Sequence, residues 1–229
     1  MRTDFNARSG SRQGVDDIVT FLHQEIMSMR LLPGTRISES DIASRFGVSR
    51  QPVRDAFRRL EVMDLILVRP KKATEVKRLS LASIEKSRFV REAVEIAVLR
   101  QAAIRCNSDG ARRLQENIDL QTRAVEAQNQ SDFARLDYDF HEIICSIAGL
   151  SFAFEVIRDE KQKVDRLCIL GFANELQMHA LLDDHIKIAT AIKVGNCGVA
   201  VQACETHLRR LDEIIAKIRR DSSVYFSED

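Results

Sequence analysis

Residues 47–60 read Gly47-Val48-Ser49-Arg50-Gln51-Pro52-Val53-Arg54-Asp55-Ala56-Phe57-Arg58-Arg59-Leu60, and this stretch decides how the first third of the chain folds. Gly47 suits the left-handed conformation that closes a short helix, and Ser49 is a good N-cap for the next one. Pro52 is tolerated in a first turn, where amides lack intrahelical partners. Val53, Ala56, Phe57 and Leu60 fall on one face of a helix predicted over Arg50–Val62. Arg50, Gln51, Arg54 and Arg58 lie elsewhere around its N-terminal half, where a recognition helix meets base edges and phosphates. Arginine can donate bidentately to guanine, and glutamine can pair with adenine.

Working outward, Ser38 to Asp41 has capping-box spacing, so a helix starts near Glu39 and carries Ile42, Ala43 and Phe46 inward. Leu32-Pro33-Gly34-Thr35 is a turn that ends an earlier amphipathic helix marked by Val15, Ile18, Val19, Leu22, Ile26 and Met29. Two short helices joined at Gly47-Val48 form a helix-turn-helix candidate. Downstream, Leu65-Ile66-Leu67-Val68 and Glu75-Val76 flank the basic turn Arg69-Pro70-Lys71-Lys72-Ala73-Thr74, giving a two-stranded wing with Lys71 and Lys72 at its tip. The plainer alternative is a small helical subdomain with a charged exterior.

The whole chain has 229 residues, 45% hydrophobic and 30% charged, with three prolines, nine glycines and no tryptophan. That composition excludes disordered and collagenous classes and favours helices over an all-β fold. The net charge of +1 conceals an asymmetry: residues 1–78 hold 15 Lys/Arg against 10 Asp/Glu, and the remainder 20 against 24. A basic head on an acidic body suggests that only the head meets a polyanion. No apolar run reaches the ~20 residues of a membrane span. Residues 1–14 are polar, lack the apolar core of a secretory signal, and read as a disordered tail. The five cysteines, Cys106, Cys145, Cys168, Cys197 and Cys204, form no C-x-x-C pair and read as reduced thiols, so the expected setting is cytoplasmic.

The run Leu32-Pro33-Gly34 … Ser38-Glu39 … Ile42-Ala43 … Phe46-Gly47-Val48-Ser49-Arg50-Gln51-Pro52-Val53-Arg54-Asp55-Ala56 … Leu60 resembles the winged-helix head of GntR-family transcription regulators. The resemblance covers some sixty residues. It implies a homodimer on a palindromic operator in double-stranded DNA, with the third helix in the major groove and the wing in the minor groove. It also implies that Arg50 and Arg54 read bases or phosphates, with Ser49 and Gln51 in support. Many members carry glycine at the wing tip where this chain has Lys72-Ala73-Thr74, so Lys71 and Lys72 are expected to grip the backbone instead.

Residues 79–225 give almost no strand signal. Breaks fall near 107–110, 129–132, 149–151, 171–174 and 195–196, leaving six helices and predicting an all-α antiparallel bundle. The last carries Cys204, Leu208, Leu211, Ile215 and Ile218 as one stripe, and residues 221–229 read as a frayed tail. The overall expectation is a mainly α chain: a winged helix-turn-helix head over residues 15–78, then an effector-binding and dimerisation bundle over 79–225.

Asp137 and His141 stand at i and i+4, facing the same way, with His185 and His207 on later helices. One carboxylate and three imidazoles converging in a bundle would suit Zn²⁺, with Ni²⁺ or Mn²⁺ as alternatives. Read from the residues alone, the plainer alternative is a set of ordinary partly buried or surface histidines. His23 and His179 lie off the pattern. The series Asp137-x-x-x-His141 … His185-x-x-Ile188 … Ala191-Ile192 … Gly195-Asn196 … Ala200 … His207 resembles the effector domain of the FadR-like subgroup, the FCD type. That resemblance implies a metal on Asp137, His141, His185 and His207. Arg91-Glu92-Ala93-Val94-Glu95 resembles the R-x-x-x-E segment of the same domain, which implies that Arg91 meets the carboxylate of a small organic acid effector. A repressor follows, released from its operator when the acid binds and the 69–83 connection reorients the heads.

Two rivals differ in class. His141-Glu142-Ile143-Ile144-Cys145 stops one histidine short of the zincin pattern H-E-x-x-H, which would make a metal-dependent hydrolase. A DNA-binding protein with a purely structural metal is the other. Cys145 and Cys204, one turn from His141 and His207, are read as apolar packing rather than redox sensors.

Overall fold

The computed structural model describes residues 7–69, 73–171 and 175–227. They form two compact units: the first runs to Leu81 and takes the chain back from Ser222, and the second spans Ala82–Asp221.

In the first unit, α1 (Ala7–Met27) packs on α3 (Arg50–Val62), with α2 (Glu39–Phe46) against both. The predicted stripe on α1 is the buried one: Ile18, Leu22 and Ile26 are fully enclosed, facing Val53, Ala56, Phe57 and Leu60 of α3. Ser38 caps α2 by accepting from the Asp41 amide at 3.4 Å, and Gly47 closes that helix at φ 64°, where a β-carbon would be strained. Ser49 holds the N-cap position of α3 in extended conformation without a side-chain bond. Of the tail expected to be disordered, residues 7–14 are helical as part of α1, and residues 1–6 lie outside the described residues. Polar side chains extend a nucleated helix at little cost, because each added residue gains a backbone hydrogen bond.

The wing is a three-stranded sheet rather than a two-stranded one. Strands β1 (Arg36–Ile37), β2 (Ile66–Leu67) and β3 (Thr74–Val76) lie in the order β1-β3-β2, all antiparallel, with Ile37 opposite Thr74 and Ile66 opposite Val76. Ile37, Ile66 and Val76 turn into the same core as the helices. The tip lysines Lys71 and Lys72 lie outside the described residues.

Among the described residues the second unit has six helices: α4 (Leu81–Arg105), α5 (Ser108–Glu126), α6 (Gln130–Ala148), α7 (Phe152–Gly171), α8 (Glu175–Lys193) and α9 (Cys197–Asp221). The expected breaks near 107–110, 129–132, 149–151 and 195–196 are helix boundaries, while residues 172–174 of the remaining break lie outside the described residues. Asn107 and Asn129 cap α5 and α6 by accepting from Gly110 and Asp132 amides at 2.9 and 3.1 Å, and Gly149 ends α6 at φ 69°. Helix α5 packs on α6 and α8, α8 on α9, and α7 on α6 and α9, around a core that includes Leu114, Phe140, Ile157 and Ile192. No described helix is long and apolar enough to cross a membrane. Cys106, Cys145, Cys197 and Cys204 are free thiols; the side chain of Cys168 lies outside the described ones.

Of the expected frayed tail, residues 221–227 are ordered, and residues 228–229 lie outside the described residues. Beyond α9, Ser223–Tyr225 form a 3-10 turn and Phe226 pairs with Leu79 in a parallel bridge. Leu79 donates to Tyr225 O at 2.8 Å and Ser227 donates to Leu79 O at 2.9 Å. Phe226 is buried, which is why these residues do not fray.

Candidate nucleic-acid interface and metal centre

Helix α3 buries its apolar face against α1 and thereby presents Arg50, Gln51, Arg54 and Arg58 to solvent, with Ser49 exposed at its start. Arg54 Nε donates to Glu39 Oε2 at 3.0 Å, while Gln51 Nε2 and Arg58 donate to Asp55 Oδ1 at 3.1 and 3.4 Å. Exposed pairs of this kind contribute little to stability, so the donors are available to a phosphate or base edge. Arg59, by contrast, bonds Asp16 of α1 and ties the helix to its neighbour.

In the second unit, α6 supplies Asp137 and His141, α8 supplies His185 and α9 supplies His207. All four are buried, and one ligand atom from each lies within 4.8 Å of the others. His185 and His207 ring centres are 4.7 Å apart, and His141 is 5.9 and 5.7 Å from them. Nε2 of His141, Nε2 of His185 and Nδ1 of His207 have no hydrogen-bond partner among the described residues, although each is buried. The far sides are anchored. His141 Nδ1 is 3.0 Å from Glu95 Oε2, and His185 Nδ1 is 2.7 Å from Gln121 Oε1. Asp137 Oδ2 takes Lys161 Nζ at 2.8 Å, while its Oδ1 is 3.3 Å from His185 Nε2. Phe140 stacks on His185 at 4.4 Å, closing one side.

Burial depresses His185 and His207 below the usual histidine range, which keeps their lone pairs free. Burial alone would raise Asp137, but Lys161 and the neighbouring imidazoles hold its carboxyl well below the usual range. Glu95 is held down against the same penalty by Arg91 and His141. One ionised carboxylate and three imidazoles, with one ligand atom of each within 4.8 Å of the others, fit a borderline divalent cation.

Other expectations fare differently. Arg91 is buried and its Nε donates to Glu95 Oε1 at 2.8 Å, so this guanidinium stands one residue behind His141. Glu142, the would-be base of a zincin, is exposed on another side of α6, away from buried His141. Cys145 packs in the apolar core with its thiol pushed up to about 12 by burial, and Cys204 is pushed well above its ordinary value for the same reason. Both therefore stay protonated, as packing residues do. Two contributors escaped the sequence reading, Gln121 and Lys161, and Glu95 was read only as part of the R-x-x-x-E segment, with no role beside His141. The i,i+4 spacing of Glu95 from Arg91 is the signal that ties the two side chains together.

A winged helix-turn-helix joined to a helical unit with a buried Asp/His₃ cluster defines a DNA-binding transcription regulator. The chain matches the bacterial regulatory proteins of the gntR family over residues 15–76 and the FCD domain over residues 88–210. It belongs to the GntR family and carries an FCD domain. It is similar to the HTH-type transcriptional repressor RspR of Escherichia coli (strain K12), with 34% identity over 212 residues covering 93% of each chain. A second relative, an HTH-type transcriptional regulator in an unstable DNA locus of Streptomyces ambofaciens, is 29% identical over 223 residues, covering 97% of this chain and 94% of the other. A GntR transcriptional regulator of known structure from Rhodococcus sp. RHA1 shares the fold with a TM-score of 0.69 at 22% identity, over 88% of this chain and 97% of that one.

Proposed function

We propose that this regulator is a metal-dependent, effector-controlled repressor. It binds a palindromic operator as a homodimer through Ser49, Arg50, Gln51, Arg54 and Arg58 of each head, with Lys71 and Lys72 on the backbone. A divalent metal, Zn²⁺ by ligand preference with Ni²⁺ or Mn²⁺ as substitutes, is held by Asp137, His141, His185 and His207. When bound, it supplies a Lewis-acidic anchor for the carboxylate or hydroxyl oxygens of a small organic acid. Arg91, paired with Glu95, contributes positive charge behind His141. A cavity lined by Glu95, Val98, Phe140, His141, Ile157 and Cys204 lies beside the cluster. Occupancy shifts the heads through the connection at Leu79 and lowers operator affinity.

The observation that carries this reading is the meeting of three buried imidazole nitrogens without partners and one ionised carboxylate. Operator binding by zinc-loaded protein, titrated with a panel of hydroxy, sugar and aromatic acids, tests it. An acid that weakens binding only when zinc is present supports the switch. If zinc binds and raises the melting temperature but no acid alters operator affinity, the metal is structural and the switch fails.

A further inference from the structure

His185 sits between two acceptors. Gln121 Oε1 lies 2.7 Å from its Nδ1, and Asp137 Oδ1 lies 3.3 Å from its Nε2. A neutral imidazole has one N–H, so the two acceptors compete for it. Were the proton on Nε2, it would point at Asp137 and shut out a cation.

The competition is decided two residues away from the ring. The carbonyl of Leu136 can only accept, and Asn117 Nδ2 donates to it at 3.1 Å. Asn117 must therefore turn its Oδ1 toward Gln121, whose Nε2 donates to it at 2.6 Å. That bond in turn obliges Gln121 to present Oε1, an oxygen without a proton, to His185. Both amides are buried, Asn117 at 4% and Gln121 at 0% exposure, away from bulk solvent. Every donor and acceptor along the line follows from one backbone carbonyl.

We propose that Asn117 and Gln121 are positioning residues: a polar relay, starting at the Leu136 carbonyl, fixes His185 in the Nδ1–H tautomer and leaves Nε2 bare toward Asp137 and His207. The relay rests on the reading of the cluster as a metal site, and it explains why α5, which supplies no ligand, sends two uncharged amides into an apolar core. Asn117 and Gln121 stand one helical turn apart, so both amides meet the same stretch between α6 and α8. His141 needs no such device, because its Nδ1 partner is the carboxylate of Glu95, which accepts from either oxygen.

The test has a metal-free arm and a metal arm. Long-range ¹H–¹⁵N correlation spectra of the chelated full-length protein at mildly alkaline pH report the tautomer directly. His185 is expected as Nδ1–H in the parent, and Gln121→Leu is expected to move the proton to Nε2. In the metal arm, zinc affinity by competition with a chromophoric chelator is expected to fall about 10–100-fold in Gln121→Leu, the usual effect of losing an outer partner of a ligating histidine. Asn117→Asp still accepts from Gln121 and is expected to keep the parent tautomer, separating relay polarity from loss of packing. An Nε2–H tautomer in the metal-free parent overturns the relay, as does unchanged zinc affinity in Gln121→Leu. A parent that binds no zinc while His185 remains Nδ1–H overturns the metal reading instead.

Discussion

Replacing His207 by leucine separates a metal ligand from a core residue by the sign of its effect. The imidazole is 7% exposed and its Nδ1 has no partner among the described residues. Leaving a buried polar atom unsatisfied costs about 1–3 kcal/mol, and an apolar side chain of similar volume removes that cost. In chelator, His207→Leu should therefore melt at the parent temperature or above it. With zinc at about a hundred times its dissociation constant, the parent gains about 2.7 kcal/mol. For a chain of this size that corresponds to about 5–11 °C. A variant weakened about a hundredfold gains only about 0.4 kcal/mol at the same zinc concentration, under about 2 °C. Scanning calorimetry of both proteins, with chelator and with zinc, gives all four numbers. If the variant melts several degrees below the parent in chelator, His207 is filling space. If zinc leaves the parent unmoved, there is no site.

Arg50→Ala and Arg54→Ala should each weaken operator binding about 5–150-fold, the range for a lost base contact, with melting temperature unchanged; equal affinity in a gel-shift titration removes the residue from the interface. Phe226→Ala should destabilise the first unit by about 3 kcal/mol, since Phe226 is buried beside the bridge to Leu79, and protease accessibility of α1 to α3 reads that loss; undiminished protection would mean the chain end is dispensable. Glu160 bonds Ser87 of α4 and Lys163 at 2.7 Å each, and although burial pushes its carboxyl up, these donors hold it below the ordinary 4.5. The native carboxylate thus stabilises fully above pH 4.5 and loses that contribution as pH falls through the lowered folded value, so the melting gap between parent and Glu160→Gln should close on acidification; a widening gap contradicts the assignment.

Much of the fold was legible because its signals are local. The α3 face Val53, Ala56, Phe57, Leu60 needs only the helical period, and the Ser38 cap and the Asn107 and Asn129 boundaries follow from side chains competing for backbone amides. Strand β1 was not legible: two residues, Arg36 and Ile37, have no periodicity, and their pairing with β3 is a tertiary event. Phe226 failed for the same reason, since its partner Leu79 lies at the other end of the bundle sequence. At the cluster, residue type and spacing pointed to Asp137, His141, His185 and His207, but their convergence depends on how α6, α8 and α9 pack. Gln121 and Lys161 were hidden entirely. They are polar residues inside amphipathic helices, with partners on another element, and nothing in their own neighbourhood distinguishes them from surface residues. Arg91 was read, by resemblance, as meeting an effector carboxylate; in the fold its Nε donates to Glu95, four residues on.

Histidines kept for packing and histidines kept for a metal differ in which ring nitrogens find partners. A histidine kept for packing is under no pressure to leave one particular nitrogen bare, and with polar groups nearby it bonds them where it can. Here the satisfied atoms, Nδ1 of His141 and Nδ1 of His185, meet Glu95 and Gln121, and the unsatisfied atoms belong to residues that gather around Asp137 with one ligand atom of each within 4.8 Å of the others. Three such atoms cost about 3–9 kcal/mol, comparable with the ~5–15 kcal/mol by which a domain is stable at all. A burden of that size, concentrated at one point and aimed inward from three helices, calls for a compensating partner at the centre. A divalent cation satisfies all three nitrogens and the carboxylate at once, and a single water, with two hydrogens to donate, does not.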